Sequence, residues 1–296
     1  MRFELLQPRS LPEALEMKKN YGDKAKVLAG GTDLLVLLKD HKLTAEAVMS
    51  LGRLRELDFI RFEEGKGIRL GALATHGAVA ASAIIKEKFP DLAEACSHVG
   101  AAQIQNLGTI GGNLCNASPA ADAAPPLLLA DAVLTLASAG GKREIPIHDF
   151  FLGPRRSALQ PDEILTDIFV PQLPGRRGAT YLKLGRRKAM EIAIVAVGVA
   201  FHLNGSDRVV SECRIAMGSV APTPLRARRG EAIFTDQEIR DELIEEAAEM
   251  AAEEASPIDD VRATRRYRLD MIRVLCRRAA REALVRARNT KAEKQR

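Results

Sequence analysis

The chain has 296 residues, 46% hydrophobic and 28% charged, with a formal net charge of +5. This length and balance suit a globular protein of two domains, each with its own core, and no run of roughly 18 uncharged apolar residues is present to span a bilayer. Cys96, Cys115, Cys213 and Cys276 lack CxxC or similar spacing, which argues against a metal or iron–sulfur site within the chain, and the absence of Trp leaves few stacking platforms for single-stranded nucleic acid.

The opening residues Met1-Arg2-Phe3-Glu4-Leu5 carry no signal-peptide core, so a reducing cytoplasmic compartment is the expectation. Phe3 to Leu6 reads as a short strand, and Ser10 is placed to cap a helix over Leu11 to Tyr21, with Pro12 and Glu13 in its first turn. Lys26 to Ala29 is a strand, Leu34 to Lys39 a short helix and Ala47 to Leu51 a further strand. A second unit follows. Ile68 to Ala72 is strand-like, Thr75 caps a helix over Gly77 to Ser82, and Phe89 to Val99 is helical. Asp122 to Leu129 is a short helical stretch broken near its start by Pro125-Pro126. Ala132 to Leu136 and Lys142 to Pro146 form a strand pair turning at Gly140-Gly141, and Glu163 to Val170 is an alternating strand.

Pro171 to Gly178, with two prolines and two glycines, reads as a linker. Beyond it, Ala179 to Leu184, Ala193 to Asn204 and Val209 to Gly218 predict three antiparallel strands, the last two joined by a turn at Asn204-Gly205. Helices are expected over Pro224 to Gly230, Asp236 to Glu254 and Thr264 to Arg288. From Arg262 to Arg296 basic residues dominate, Lys291, Lys294 and Arg296 among the last of them. A solvated helix is the plainer reading of this run, a nucleic-acid or acidic-partner surface the alternative.

Two glycine-rich stretches stand out, each following an apolar run. The first is Ala29-Gly30-Gly31-Thr32-Asp33-Leu34, and the second is Thr109-Ile110-Gly111-Gly112-Asn113-Leu114. Paired glycines allow backbone amides to converge on an anion with no Cβ in the way. Either stretch alone is an ordinary flexible turn as readily as a binding loop. Together, with hydroxyl and amide side chains beside them, they suit a diphosphate gripped from two sides. The helix starting at Leu34 would point its first amides back at the first loop. Asp122, in a small apolar segment, is either a helix cap or an acceptor for a ribityl or flavin group.

Other chemistries lack their signatures. There is no GxGxxG opening a helix, no GxxxxGK[ST], no HExxH and no GxSxG. The histidines His41, His76, His98, His148 and His202 sit singly, and a lone histidine is more often structural than catalytic.

The two glycine stretches, with Ala117-Ser118-Pro119 and Asp122, resemble the FAD-binding subunit of the molybdenum hydroxylases, the group that includes xanthine dehydrogenase-type enzymes and the medium subunit of aerobic carbon monoxide dehydrogenase. The resemblance continues through Glu163-Ile164-Leu165, Tyr181 to Arg187 and Ala216 to Pro224, covering nearly the whole chain. It implies an α+β, vanillyl-alcohol oxidase/PCMH-type FAD-binding fold of two α/β subdomains, about 1–55 and 56–175, followed by a sheet-and-helix domain over 176–296. By motif position, Ala29, Gly30, Gly31, Thr32, Asp33 and Leu34 and then Thr109, Ile110, Gly111, Gly112 and Asn113 would hold the FAD pyrophosphate. Asp122 would sit near the ribityl chain or flavin, Leu165 near the adenine or isoalloxazine, and Lys183 would approach the flavin from the C-terminal domain.

The same resemblance implies non-covalent FAD, Cys115 being the residue that leaves the attachment question open. Molybdopterin and [2Fe-2S] clusters would reside on partner subunits only, in a dimer of heterotrimers. Electrons would pass from the iron–sulfur subunit through FAD to an external acceptor, with no nucleic acid and no transmembrane segment involved. A stand-alone FAD oxidoreductase of the same fold, or a basic nucleic-acid-binding or scaffold protein, are the alternatives.

Overall fold

The computed structural model describes residues 2–172, 175–203 and 209–290. The expected Asn204-Gly205 turn and the basic positions Lys291, Lys294 and Arg296 lie outside the described residues.

The first layer is a parallel three-stranded sheet. Strand β1 (Glu4–Leu6) leads into helix α1 (Leu11–Tyr21), whose Ser10 cap accepts from the Glu13 amide, as the sequence predicts. Strand β2 (Ala25–Leu28), helix α2 (Leu34–Lys39) and strand β3 (Ala47–Ser50) complete it, in the order β1-β3-β2. Parallel neighbours need crossovers, and α1 and α2 supply them. Leu6, Ala14, Leu15, Ala25, Ala47 and Met49 form the small core underneath.

A larger antiparallel sheet follows. Strands β4 (Ile60–Glu63) and β5 (Gly67–Gly71) precede a helical stretch of α3 (His76–Ala81), α4 (Ala83–Lys88), α5 (Pro90–Ser97), α6 (Ala102–Leu107), α7 (Ile110–Cys115) and α8 (Ala124–Leu129). Strands β6 (Val133–Ser138) and β7 (Gly141–Pro146), the small hairpin β8 (Phe151–Gly153) and β9 (Arg156–Ser157), and β10 (Ile164–Pro171) come next. The sheet order β4-β5-β10-β6-β7 buries Ile68, Leu70, Leu134, Leu136 and Ile168 against Leu114, Leu127 and Leu128 of the helices.

The C-terminal sheet comprises β11 (Arg176–Leu184), β12 (Val195–Leu203), β13 (Val210–Gly218) and β14 (Leu225–Arg226). Three long antiparallel strands match the expectation, and the two-residue β14 adds a fourth. Its residues were expected to begin a helix at Pro224. They pair instead with Ala216 and Met217, so α9 starts only at Arg228 and runs to Ala232. Nor does the expected linker span Pro171 to Gly178. Pro171 ends β10, and Arg176 to Gly178 already pair with Phe201 to Leu203 in β11.

Two long helices back this sheet. In α10 (Asp241–Glu254) Ile244, Ala247, Ala248, Ala251 and Ala252 are buried, and in α11 (Arg265–Asn289) Ile272, Leu275, Cys276, Ala279, Ala283 and Ala287 are buried at helical spacing. The polar face of α11 explains much of the basic run. Arg273 pairs with Glu249 at 2.6 Å and Arg277 with Glu245 at 2.7 Å, so α10 neutralises part of it.

Candidate functional site

The first glycine stretch leaves the carboxyl end of β2, the edge of a parallel sheet where loops can converge on a ligand. The second behaves differently from a plain loop. Thr109 is the N-cap of α7, its hydroxyl accepting from the Gly112 amide at 3.0 Å, so Gly111 and Gly112 lie in the first turn of a helix. Glycine disfavours helices, which hides this turn in the sequence.

The two stretches touch. A Cβ on Gly30 would stand 1.8 Å from the Leu107 carbonyl oxygen, and one on Gly112 would stand 3.8 Å from the Ala29 Cβ. Only a residue without a side chain allows the first approach. Asn116 Nδ2 donates to Asp33 Oδ1 at 3.2 Å, fastening the first stretch to the C-terminal end of α7. A Cβ on Gly111 would press on the Ala72 carbonyl at 2.6 Å, so close packing against the end of β5 fixes α7 in place.

A cleft of about 640 Å³ opens between them, within the range that encloses a cofactor. Ala29, Gly30, Gly31, Thr32, Asp33, Leu34, Thr109, Gly111, Gly112, Asn113 and Leu165 line it. Ile110 does not; it is fully buried in the core below. Leu165 reaches the wall from β10, beside a bulge between Leu165 and Asp167 that re-aims the strand there.

Asp122 and Lys183 are brought together but lie outside the cleft lining. Lys183 Nζ donates to Asp122 Oδ2 at 2.8 Å and to the His98 carbonyl at 2.9 Å, next to Val99 on the cleft wall. Tyr181 Oη donates to Asp122 Oδ1 at 2.7 Å. Burial pushes the Asp122 carboxyl above its ordinary value, with the Lys183 ammonium and the Tyr181 hydroxyl pulling against it.

This pair belongs to a wider seam between the part ending at β10 and the C-terminal part. Arg177 pairs with Asp91 at 2.9 Å, Arg214 and Arg226 with Asp131 at 2.8 and 3.2 Å, and Arg286 with Glu94 at 2.5 Å. Each pair has its carboxylate on the N-terminal side and its base on the C-terminal side. Spacing in the sequence does not reveal these partners, since they come from elements far apart along the chain.

Several cleft residues have no binding role in the sequence analysis, where Cys115 enters only through the attachment question and Glu163 only through the resemblance. His76 lines the wall, and burial pushes its imidazole down to about 4. Cys115 lines it too; burial pushes its thiol up to about 12, leaving it protonated and a poor nucleophile. The hairpin residues Arg155, Arg156 and Ser157 form another rim. Glu163 is held there by Arg143, at 2.6 and 2.8 Å. Burial opposes ionisation of Glu163, but the Arg143 guanidinium and the Gln160 amide hold the carboxyl below its usual range. The signal for these was weak: a lone histidine, a lone cysteine, and an irregular Gly-Pro-Arg-Arg stretch.

The chemistry of the cleft fits a dinucleotide diphosphate. Among the described residues, no hydrogen bond occupies the backbone amides of Gly30, Gly31, Thr32 or Asp33. Asn113 Oδ1 is buried without a partner. Free amides, a hydroxyl and a side-chain amide at one narrow gap are what phosphate oxygens and a polyol chain require.

Residues 1–173 match the family model described as the FAD binding domain in molybdopterin dehydrogenase, and residues 180–283 match the CO dehydrogenase flavoprotein C-terminal domain. The chain belongs to this FAD-binding family. It is 33% identical over 265 residues to a xanthine dehydrogenase FAD-binding subunit of Escherichia coli O157:H7, covering 89% of this chain and 90% of that one. It is also 33% identical over 285 residues to the carbon monoxide dehydrogenase medium chain of Hydrogenophaga pseudoflava, covering 96% and 98%. A solved structure of carbon monoxide dehydrogenase from Hydrogenophaga pseudoflava, lacking the Mo-pyranopterin moiety of its cofactor, superposes with a TM-score of 0.92 at 32% identity, over 97% of this chain and 98% of that one. The family's fold is therefore this chain's fold, FAD is its cofactor, and it is an oxidoreductase flavoprotein of the medium-subunit type. Among the described residues no helix is long and apolar enough to cross a membrane.

Proposed function

We propose that this chain is the electron-transfer flavin subunit of a heteromeric molybdenum hydroxylase, receiving electrons from [2Fe-2S] clusters of an iron–sulfur partner and passing them to an external acceptor. The observation that carries the reading is the joining of the two glycine stretches across one cleft, with the amides of Gly30 to Asp33 unengaged. When bound, FAD supplies the coupling between one-electron and two-electron partners. The chain's own residues bind and orient it. Gly30, Gly31, Thr32 and Asp33 offer donors to one side of the diphosphate, and Thr109, Gly112 and Asn113 bound the other. Ala29, Leu34, Ile110 and Gly111 shape and support the gap. Leu165 closes an apolar wall. Asp122 and Lys183 hold the domain seam beside Val99, where the flavin end would lie.

FAD is held non-covalently, a reading supported by the protonated Cys115 thiol. The subunit sits with a molybdenum subunit and an iron–sulfur subunit in a dimer of heterotrimers, where molybdopterin and the clusters reside on those partners. The names of the relatives, FAD-binding subunit and medium chain, favour this over a stand-alone oxidoreductase. We divide the chain into an FAD-binding domain over 1–175 and a C-terminal domain over 176–296, a division supported by the separate sheets.

The test is the ultraviolet–visible spectrum of the purified chain, with the cofactor identified after acid release. A flavin spectrum and free FAD in the supernatant are expected. A colourless chain that does not bind added FAD would overturn the reading.

A further inference from the structure

We propose that His76 is a further cofactor contact, its Nε2 donating to the diphosphate of bound FAD beside Thr32. The inference rests on the FAD reading above and adds to it a residue that neither glycine stretch contains.

His76 is held firmly. It is the first residue of α3, whose N-cap Thr75 accepts from the Ala78 amide at 3.1 Å. The His76 amide donates to the Gly108 carbonyl at 2.9 Å, tying the residue to the entry of the second glycine stretch. The ring reaches the same place. A Cβ on Gly108 would stand 3.3 Å from His76 Cδ2 and 3.5 Å from Thr32 Oγ1. His76 on α3, Gly108 before α7 and Thr32 after β2 therefore meet at one point on the cleft wall. The nearest obstacle to a side chain at Gly108 is the Ile104 carbonyl oxygen, 2.9 Å from the Cβ position.

The ring is also unsatisfied. His76 is 2% exposed, and its Nδ1 is buried with no hydrogen-bond partner. No hydrogen bond among the described residues engages Nε2 either. In the imidazole Nε2 is bonded to Cδ2, the atom nearest Gly108, so Nε2 is the nitrogen at the edge where the loops meet. Nδ1 faces the packed interior, so Nε2, with no partner inside the protein, is the ring nitrogen left to a ligand in the cleft.

The protonation state suits a donor without charge. Burial pushes the imidazole down to about 4, so the ring is neutral near pH 7 and carries one N–H. With that proton on Nε2, the ring donates to an anionic oxygen while Nδ1 stays an unused acceptor. Hydrogen bonds to charged acceptors are the stronger kind, so losing this one should be measurable.

The test uses the intact chain. FAD affinity is measured for the parent, His76→Phe and His76→Gln, and the imidazole nitrogens of His76 are followed by nitrogen-15 NMR as FAD is added to the parent. The Gln side chain keeps a donor near the Nε2 position, whereas Phe fills the space without one. We expect the Nε2 resonance of the parent to move on FAD addition, His76→Phe to bind about tenfold or more weakly, and His76→Gln to recover most of the loss. The thermal midpoint of cofactor-free His76→Phe should match or exceed the parent's, because an unpaired polar ring has been removed. A parent that binds FAD with no movement of either His76 nitrogen overturns the assignment and leaves the FAD reading standing. So does a folded His76→Phe whose affinity stays within about twofold of the parent's. A parent chain that binds no FAD overturns both.

Discussion

The carbonyl oxygen of Leu107 occupies the space that a side chain on Gly30 would need, 1.8 Å from the position of its Cβ. The two glycine stretches thus form one structure before any cofactor arrives. Gly30→Ala must push the α6–α7 junction away from the end of β2, because the obstacle is backbone rather than a flexible side chain. We expect a loss of about 1–3 kcal/mol from overpacking and a weakened affinity for FAD. Denaturant unfolding and FAD titration check this. Parent-like values in both would mean that the stretches part without cost.

Gly112→Asp tests the opposite wall. Its Cβ would meet only Thr109 Oγ at 2.9 Å and the Ala29 Cβ at 3.8 Å, so the fold should tolerate the change better than Gly30→Ala does. The new carboxylate would lie between the two stretches, facing the diphosphate with like charge. Flavin content of the purified variant should fall to background while its circular dichroism stays native. Full flavin content would refute the assignment of this wall.

Lys183→Ala leaves Asp122 buried with the Tyr181 hydroxyl as its remaining side-chain donor. Breaking one partner of a buried ion pair costs roughly 3–5 kcal/mol, because an uncompensated charge is left behind. We expect a thermal midpoint lower by several degrees, and a double variant with Asp122→Asn that is less destabilised than the two single losses added together. Additive losses would show that the two side chains act independently. The flavin absorbance of Lys183→Ala should also shift, since the pair stands one residue from the cleft wall at Val99.

Asp260 gives a prediction in pH. Although burial works against its ionisation, the amides of Arg262 and Ala263 and the guanidinium groups of Arg268 and Arg262 bring its carboxyl down to about 2. A carboxyl lowered in the folded state contributes stability that is present in full above its unfolded value near 3.8, and that is lost as pH falls through about 2. Asp260→Asn should lower the thermal midpoint by a few degrees at pH 7, and the gap from the parent should close as the pH approaches 2. A gap unchanged by acid would assign the loss to geometry rather than charge.

Much of this was readable in the sequence because the deciding signals are local. Ser10 and Pro12 set the start of α1, Thr264 caps α11, and the apolar spacing from Ile272 to Ala287 declares which face of that helix is buried. The glycine stretches stood out as a candidate site only as a pair, since either one alone reads equally well as a turn. What escaped depends on tertiary partners. Thr109 to Cys115 folds as a helix because Thr109 caps it and Ala72 packs on Gly111, which overrides the poor helix propensity of two glycines. Leu225 and Arg226 extend a sheet edge because Ala216 and Met217 present one. His76 carries no local mark, since its place in the site comes from α3 meeting two loops that are distant in sequence.

The polarity of the domain seam has a consequence for how the molecule comes to be built. The N-terminal part leaves the ribosome first, and its Asp91, Glu94, Asp122 and Asp131 face a half that emerges later. Those carboxylates can be hydrated until then, whereas the apolar part of the same face, where Leu129 shares a core with Ala179, Ala200 and Ala216, is covered only on docking. The strands and helices bearing Arg177, Lys183, Arg214, Arg226 and Arg286 emerge later and are drawn in by their charge. The sign of the side chains thus helps to set which faces meet.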